Sequence, residues 1–301
     1  MSESTASHCG FIAIIGRPNV GKSTLINRLI GEKVSITSRK PQTTRHQIIG
    51  INTQDNTQLI YIDTPGIHRG EVKAINRHMN RAARSAMADV DAVVFVVSAM
   101  HWTPEDEYVL SLLQYTKCPV ILAVNKVDKV PDKEILLPFL KDIASRYNFH
   151  SVFPLSAKQG ANVLELEKLL TSLMPEGPFH FAEDQVTDKS LRFMVAELIR
   201  EKLIRLTGQE LPYSTAVEIE EFKDDNGLMR ISALILVEKD GQKRIVIGNK
   251  GDKLKEIGTS ARLDIEKLLE CKVFLRLWIK VKSGWSDDER ALQSLGFQND
   301  K

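Results

Sequence analysis

The chain has 301 residues, of which 43% are hydrophobic and 27% are charged, and its formal net charge is only +2. This length favours two domains, and the composition is typical of a globular protein that buries its own core. The small net charge excludes a polycationic protein, so any contact with nucleic acid must come from a local patch of basic residues.

The three cysteines are Cys9, Cys118 and Cys271, which lie far apart and form no CxxC pair. This spacing argues against a disulfide framework or a zinc site and is typical of a reducing compartment. The first residues do not resemble a secretory signal, and no run of about 18 apolar residues is present to span a bilayer. We therefore expect a cytoplasmic protein.

Short apolar runs alternate with amphipathic helical patterns in the first part of the chain. The predicted strands are 11–15, 46–51, 58–62, 91–97, 119–124 and 151–155. The predicted helices are 21–29, 74–88, 105–115, 134–147 and 163–173. This alternation predicts an α/β domain with a doubly wound, mostly parallel sheet, and the apolar residues at both faces of 93–97 fit helices on both sides.

A change of pattern marks the end of this domain. Residues 174–178 read MPEGP and a polar stretch follows to Asp188, so prolines and glycine predict a linker there. We expect a flexible N-terminus (1–9), a first domain (10–174), a linker (175–188), a second domain (189–285) and a tail (286–301).

The second domain has a different, α+β pattern. A predicted helix at 191–206 precedes strands at 214–222 and 229–237, with a turn at 224–227 between them. A short element and a glycine loop at 248–251 lead into a long helix, and 271–282 alternates strictly, as a strand does. A short structural helix is expected at 290–297.

The stretch Gly16–Ser23 reads GRPNVGKS and matches the phosphate-loop pattern GxxxxGK[ST] between a predicted strand and a predicted helix. Its glycines let backbone N–H groups face phosphates, and the helix N-terminus favours anions. Lys22 would reach the β- and γ-phosphates, and Ser23 would offer its hydroxyl to magnesium. The candidate phosphate-binding residues are Gly16, Arg17, Pro18, Asn19, Val20, Gly21, Lys22, Ser23 and Thr24.

A second motif selects the base. Asn125-Lys126-Val127-Asp128 follows a predicted strand, and the carboxylate of Asp128 can accept hydrogen bonds from two N–H groups that guanine has and adenine lacks. Asn125 would tie this loop to the phosphate loop, and the Lys126 stem would pack on the base. Ser156-Ala157-Lys158 can offer a backbone N–H to the guanine oxygen.

Two further segments predict contacts to magnesium and the γ-phosphate. In Asp63-Thr64-Pro65-Gly66, Asp63 is placed to hold magnesium through water, and Gly66 to sense the γ-phosphate through its N–H. Thr43 and Thr44 lie between the first helix and the second strand. One of them is expected to bind magnesium, and we take Thr44 with Ser23 as the metal residues while Thr43 stays an alternative.

The motifs GRPNVGKS, TT, DTPG, NKVD and SAK, in this order, resemble the TRAFAC class of GTPases, on the side of the TrmE, Era and EngA-like proteins. The resemblance implies GTP/GDP binding with Mg²⁺ and hydrolysis of GTP, with Lys22, Asp63, Gly66 and Thr44 as catalytic residues. Ile67 stands where Ras-like enzymes have glutamine, so its side chain cannot orient water. For relatives with asparagine at the position of Asn19, the resemblance implies a K⁺ ion, and K⁺ activation is a hypothesis here.

A basic loop in the second domain predicts an RNA site. The segment 239–255 carries six basic and two acidic residues around Gly248-Asn249-Lys250-Gly251. Two glycines before a helix let a phosphate chain approach closely, as the GxxG loop of a KH domain does with about four nucleotides. With Arg244 and Lys253, this loop and the order of elements resemble a type II KH domain.

The outer face of the last strand allows two interpretations. Lys272, Arg276, Lys280 and Lys282, with Phe274 and Trp278, could bind RNA by charge and stacking. They could equally be a solvated face.

A GTPase domain followed by a KH domain resembles the Era family over almost the whole chain, including the phrases VIGNKGDKLKEIG and VKSGWSDDERAL. The resemblance implies binding near the 3′ end of 16S ribosomal RNA, assistance to 30S subunit assembly, and peripheral contact with a membrane. We expect a monomer with a GTP-gated domain arrangement.

Three alternatives stay open at this point. The chain could be an RNA-binding module whose nucleotide site is regulatory and barely catalytic. It could be a relative that acts in transfer RNA modification, although TrmE-like proteins have a helical domain and a C-terminal cysteine motif that are missing here. An ATPase would require Asp128 to be idle.

Overall fold

A computed structural model describes residues 6–38, 40, 43–67, 74–132, 134–207 and 215–295. The chain divides into two compact units. The first unit holds Met1–Ser35, Thr44–Glu71 and Met79–Asp188, and the second holds Ile36–Thr43, Val72–His78 and Lys189–Lys301. Among the described residues, no helix has the length and apolar character needed to cross a bilayer.

The first unit is built on a six-stranded sheet. Its strands are β1 (His8–Ile15), β2 (Ile48–Gln54), β3 (Thr57–Asp63), β4 (Ala92–Ser98), β5 (Val120–Asn125) and β6 (Ser151–Pro154). The helices of this half of the chain are α1 (Lys22–Ile30), α2 (Ala74–Ser85), α3 (Pro104–Leu112), α4 (Leu136–Ala144) and α5 (Val163–Leu173). The strand order is β2-β3-β1-β4-β5-β6, with only β2 antiparallel to its neighbour. The predicted doubly wound, mostly parallel sheet is confirmed.

Both faces of this sheet are buried. In β4, Val94 and Val96 belong to a core that includes residues of α1 and α5, whereas Val93, Phe95 and Val97 belong to a core that includes residues of α3 and α4. Successive side chains of a strand point to opposite faces, so a strand covered on both sides must be apolar throughout. Because β1, β3, β4, β5 and β6 are parallel, their carboxyl ends lie at the same edge of the sheet, where the loops carry the predicted motifs.

The N-terminal prediction needs a correction. Residues 1–9 were expected to be flexible, but His8 and Cys9 are part of β1. The backbone N–H of His8 donates to the carbonyl of Asn56 at 2.8 Å, and that of Cys9 donates to the carbonyl of Pro175 at 3.1 Å. Backbone pairing with β3 therefore extends the strand beyond its apolar core. Residues 1–5 lie outside the described residues.

The stretch 175–188 is bound along the first unit. The buried side chain of Gln58 accepts from the backbone N–H of Phe181 and donates to the carbonyl of the same residue, both at 3.0 Å. Farther on, the N–H of Ile51 donates to the carbonyl of Val186 at 2.9 Å. The bond from Ile51 satisfies a backbone group of β2, the edge strand of the sheet, which otherwise would be free to pair with another chain.

The second unit has a three-stranded sheet. Its elements are α6 (Leu191–Leu206), β7 (Thr215–Asp225), β8 (Leu228–Val237), α7 (Asp240–Ile247), α8 (Asp252–Leu269), β9 (Lys272–Val281) and α9 (Glu289–Ser294). β8 lies between β7, to which it is antiparallel, and β9, to which it is parallel. The predicted order of elements is confirmed, and the short element is the eight-residue helix α7. Ser214 and Phe297, the outer limits of two predicted elements, lie outside the described residues.

The turn between β7 and β8 is shorter than predicted. Asp224 and Asp225 pair with Met229 and Leu228, so only Asn226 and Gly227 form the turn instead of 224–227. Both have positive φ, 53° and 85°. Asn-Gly is the favoured pair for a two-residue hairpin turn of this kind, because both positions require left-handed backbone.

Gln58 provides a test of how firmly the stretch 175–188 is held. Gln58→Ala removes bonds from the N–H groups of His180 and Phe181 and one to the hydroxyl of Thr53, all at 3.0 Å. We expect the free energy of unfolding to fall by about 2–4 kcal/mol in denaturant titrations, because buried polar groups lose their partners. Gln54→Ala, at an exposed site of the same sheet, should change it by about 0.5 kcal/mol or less. Equal losses in both variants would contradict this role.

Candidate functional site

The phosphate loop joins β1 to α1, and its backbone explains its glycines. Gly16 has φ +146°, and a Cβ there would lie 2.4 Å from the carbonyl oxygen of Val96. Gly21 has φ +105°, and a Cβ there would lie 2.3 Å from Nδ2 of Asn125. No other residue type fits these two positions without displacing a neighbour.

Lys22 is the first residue of α1 and is almost completely buried. Its ammonium group donates to the carbonyls of Gly16 and Arg17, both at 3.0 Å, so it folds back over the loop. Burial lowers the pKa of Lys22 to about 8, partly offset by the carboxylate of Asp63. A phosphate bound in the loop would favour the protonated form of Lys22 and so oppose the effect of burial on its pKa.

The loop is also fixed from outside by a buried carboxylate. Nε of Arg17 donates to Oδ2 of Asp106 at 2.8 Å, and the same oxygen accepts from the backbone N–H and hydroxyl of Thr103. Asp106 therefore caps the N-terminus of α3 and also fixes the side chain of Arg17. The sequence pattern Thr103-Pro-Glu-Asp106 indicates the cap, but nothing in the sequence shows that Arg17 would be its partner.

A cluster of oxygen atoms lies beside the start of α1. The hydroxyls of Ser23 and Thr44 are 2.8 Å apart, and Ser23 donates to Oδ2 of Asp63 at 3.0 Å. Ser35, which the sequence analysis missed, donates to the same oxygen at 2.7 Å. Oδ1 of Asp63 is buried and has no hydrogen-bond partner, and burial raises the pKa of this carboxyl.

These donors fit a hard divalent cation. Mg²⁺ prefers hydroxyl, carboxylate and phosphate oxygens, and the unpartnered oxygen of Asp63 faces no protein donor. Among the described residues, no group of three or more His, Cys, Asp or Glu could hold a metal. Thr44 is in this cluster, whereas the hydroxyl of Thr43 bonds to Ser38 and to the carbonyl of Lys40, both at 2.8 Å.

The segment after β3 lies directly against the phosphate loop. The hydroxyl of Thr64 donates to the carbonyl of Ile14 at 2.8 Å. A Cβ at Gly66 would lie 2.7 Å from the backbone nitrogen of Pro18, so only glycine permits this approach. Ile67 is fully buried in the core near α3 and α4 and therefore offers no group to solvent or to a reacting water.

Asn125, at the end of β5, joins the phosphate loop to the predicted base loops. Its Nδ2 donates to the carbonyl of Val20 at 2.8 Å, and its Oδ1 accepts from the N–H of Ala157 at 2.9 Å. The ammonium of Lys126 donates to the carbonyl of Asn19, and burial lowers the pKa of Lys126. The structure thus brings residues from three distant motifs into one site.

The two base-binding segments are bonded to each other. Asp128, in a short 3₁₀ turn (Val127–Lys129), accepts from the hydroxyl of Ser156 at 2.6 Å. The strand β6 ends at Pro154 rather than at residue 155 as predicted, so the triplet 156–158 follows it after one further residue. Arg28 of α1 donates to the carbonyls of Ala157 and Lys158 at 3.4 and 2.7 Å, a contact that no sequence signal indicates.

In the second unit, α6 binds the segment Ile36–Thr43. Glu201 accepts from the backbone N–H of Thr37 at 2.9 Å. Arg200 donates to the carbonyl of Thr43 and pairs with Glu197. Charged residues of α6 are therefore buried although a helix pattern alone would place them in solvent, and the sequence analysis missed this surface.

The GNKG loop has the backbone that its glycines predict. Gly248 and Gly251 have φ +73° and +88°, and Lys250 between them has φ 49°. The loop joins the C-terminus of α7 to the N-terminus of α8. Asn249 and Lys250 are exposed, so the ammonium of Lys250 is accessible to an anion. Arg244 is exposed on α7, and Lys253 pairs with Glu256 at 2.8 Å on α8.

Two family models match the chain. One is described as a 50S ribosome-binding GTPase and matches residues 11–126, and the other is the KH domain and matches residues 210–286.

Similar proteins cover the whole chain. GTPase Era of Yersinia pestis (strain Pestoides F) is 58% identical over 301 residues, which is 100% of this chain and 99% of that protein. GTPase Era of Pasteurella multocida (strain Pm70) is 56% identical over 300 residues, which is 99% of this chain and 98% of that protein.

Two solved structures share the full architecture. Era in complex with MgGDPNP and nucleotides 1506–1542 of 16S ribosomal RNA is 37% identical, with a TM-score of 0.94 over 97% of this chain and 100% of that chain. A single-residue variant of Aquifex aeolicus Era bound to GDP and AlF₄⁻ is also 37% identical, with a TM-score of 0.92 and the same coverage.

Asp106 provides a test of how the phosphate loop is positioned. Asp106→Asn removes the charge that pairs with Arg17 while keeping the shape of the side chain. We expect the free energy of unfolding to fall by about 1–3 kcal/mol, because a partly buried guanidinium loses its ionic partner. GDP should also dissociate faster, measured by displacement of a fluorescent GDP analogue.

The matched control is Asp142→Asn, which breaks an exposed pair with Arg146 of 3.0 Å in the same unit. It should cost about 0.5 kcal/mol and leave GDP release unchanged. If Asp106→Asn lowers stability but leaves GDP release at the control rate, Asp106 does not position the loop.

Proposed function

Because the chain belongs to the Era family of GTPases, we propose that it is a GTP-hydrolysing switch that binds 16S ribosomal RNA through its KH domain and assists assembly of the 30S subunit. The observation that carries the RNA part is the full-length similarity to an Era structure that holds a GTP analogue and a 16S fragment together. The name of the matching GTPase family model refers to the 50S subunit, but that model covers only residues 11–126.

The proposed nucleotide site uses the residues expected from the sequence. The phosphates lie in the loop 16–21 and against 22–24, the γ-phosphate meets 63–66, and guanine lies against 125–128 and 156–158. Asp128 provides specificity for guanine because its carboxylate accepts hydrogen bonds from the edge of that base. The hydrogen bond from Ser156 supports the orientation of the carboxylate that this contact requires. An adenine would leave that carboxylate without the two N–H donors that guanine offers.

Lys22, Asp63, Thr44 and Gly66 carry the chemistry in this proposal. Lys22 leaves the loop carbonyls and stabilises charge that develops between the β- and γ-phosphates, while Gly66 offers its N–H to the γ-phosphate. The hydroxyls of Ser23 and Thr44 would hold Mg²⁺, with Asp63 behind it. When bound, this ion neutralises phosphate charge.

We propose that a potassium ion adds to the positive charges that surround the phosphates. Ile67 is buried and cannot orient the attacking water, so the backbone, another residue or an ion must do so. Asn19 is exposed at φ 63° in the phosphate loop, where its side-chain oxygen is accessible to an ion beside the phosphates. An alkali cation there would stabilise the same developing charge as an arginine in trans does in other GTPases.

The finer expectations on organisation are also proposals. They comprise an end of the first domain at residue 174, a second domain at 189–285, the linker between them and the tail after them, a cytoplasmic monomer, and peripheral contact with a membrane. GTP is proposed to order the segments around Thr44 and Gly66 and so to control presentation of the KH domain to RNA.

The RNA clamp is proposed at Gly248, Asn249, Lys250 and Gly251, with Arg244 and Lys253 beside it. Gly251→Asp places a carboxylate and a Cβ where a phosphate chain must approach, and the site has open space around it. We expect affinity for a short single-stranded RNA to fall about tenfold or more while GTP affinity stays unchanged. Fluorescence anisotropy with labelled RNA and labelled nucleotide measures both.

Gly227→Asp is the matched control for the clamp. Gly227 has φ +85°, and a Cβ there would also meet no atom within 4 Å. The substitution therefore imposes the same backbone strain as Gly251→Asp, in the same unit. Gly248 is less suitable, because a Cβ there would lie 2.5 Å from Cβ of Lys253. Equal RNA affinity of Gly251→Asp and Gly227→Asp would remove the clamp from this loop.

Potassium dependence is tested by single-turnover GTP hydrolysis in matched K⁺ and Na⁺ buffers. We expect hydrolysis to be about tenfold or more slower in Na⁺, because one electrostatic contact to the developing charge is lost. In Asn19→Ala the two rates should converge at the slower value, while GDP affinity is retained. Equal rates in both salts for the unmodified protein would exclude the ion.

A further inference from the structure

The outer face of β9 carries an ordered set of aromatic and basic side chains that the GTPase and clamp assignments do not use. Val273, Leu275, Leu277, Ile279 and Val281 pack on the core of the second unit. The alternate residues point away from that core and are exposed: Lys272, Phe274, Arg276, Trp278 and Lys280. Strand periodicity therefore separates a buried apolar face from an exposed one of different chemistry.

Phe274, Arg276 and Trp278 form what we call the stacking row. The guanidinium of Arg276 lies 5.7 Å from the ring centroid of Phe274 and 5.3 Å from that of Trp278. Arg230 of β8 lies 5.7 Å from the Phe274 ring. The two rings remain 44% and 43% exposed and lie around the same guanidinium, and a contiguous exposed patch of this kind is typical of an interaction site.

Neighbouring acidic residues hold the stacking row in place. Nε1 of Trp278 donates to Glu220 of β7 at 2.9 Å, and Nε of Arg230 donates to Asp225 at 2.6 Å. These bonds restrict the rotamers of the indole and of the guanidinium that flanks Phe274. Ordering the row before binding reduces the entropy that a ligand would otherwise have to overcome.

Charge on this face is divided between its two edges. Lys272, Lys280 and Lys282 extend the basic character along β9, whereas Glu218, Glu220 and Glu221 lie on β7. Glu221 is engaged with the hydroxyl of Ser232 at 2.9 Å. An anionic chain is therefore attracted to β9 and repelled from the part of β7 that carries Glu218, Glu220 and Glu221, whereas Lys223 of β7 lies beside Arg230.

We propose that the stacking row is a second contact surface for single-stranded RNA, separate from the GNKG loop. Aromatic rings and guanidinium planes stack on bases, and lysines beside them neutralise the phosphate backbone. An acidic peptide would satisfy the lysines but would leave the exposed ring faces without flat partners. The inference rests on the proposed RNA binding, and it predicts that RNA longer than the clamp needs gains affinity from β9.

Two RNA lengths separate this surface from the clamp. A labelled RNA of about four nucleotides fills a KH loop, and an unstructured RNA of about 20 nucleotides can also reach a stacking surface. For the full-length protein with Phe274→Ala and Trp278→Ala together, we expect affinity for the long RNA to fall about five- to a hundredfold, and affinity for the short RNA to stay within about twofold. Trp278→Tyr, which keeps a ring, should recover most of the long-RNA affinity.

Two controls make the outcome decisive. Tyr115→Ala removes an aromatic side chain that is 86% exposed in the first unit and should affect neither RNA. Gly251→Asp should weaken binding of both RNAs, since it acts at the clamp. GTP hydrolysis and thermal unfolding of each variant verify that the fold is intact.

The results that overturn the inference are distinct from those that overturn RNA binding itself. If the affinity for the long RNA is unchanged after loss of both rings, the stacking row is not an RNA surface, and it faces a protein partner or solvent instead. An equal loss for both RNAs shows that the rings act through the clamp, which also refutes a second surface. If the unmodified protein binds neither RNA, the proposed function fails first.

Discussion

The nucleotide site depends on two hydrogen bonds of the buried side chain of Asn125. It bonds at one end to the phosphate loop through Val20 and at the other to Ala157, so phosphate and base loops have fixed relative positions. Its amide lies where a Cβ on Gly21 would be, which makes glycine obligatory at that point. A site assembled from loops can recognise a whole nucleotide only when their spacing is set in this way.

The fold was predictable because its signals are local and repeated. The apolar runs of the first unit mark buried parallel strands, and the strict alternation of β9 marks a half-buried one. The predicted α6 has the limits 191–206 that the structure shows, since Ser190 caps its N-terminus by accepting from the N–H of Phe193. The β7–β8 turn was predicted too long because its two aspartates are polar residues that pair within the hairpin.

The candidate site was predictable only where a motif carries it. Lys22, Asp63 and Asn125 were found because each lies in a short pattern whose spacing is tied to backbone geometry. Ser35 was missed because its segment has no pattern, and Asp106 because its capping pattern does not reveal the bond to Arg17; each meets its partner only after folding. Positions that support a site from a distance in sequence leave no periodic or spacing signal.

The buried charges of α6 show a related limit. Glu197, Arg200 and Glu201 weaken the apolar stripe of the helix, so the sequence suggests a solvated face. Arg200 and Glu201 nevertheless bond to the segment Ile36–Thr43, and Glu197 pairs with Arg200. Burying such groups is tolerated only because each meets a backbone donor, a backbone acceptor or an opposite charge. The segment is therefore held by directional bonds in addition to the burial of Ile36. Directional bonds fix one arrangement of backbone, and they are lost together when that backbone moves, because a single displaced peptide leaves several buried charges without partners.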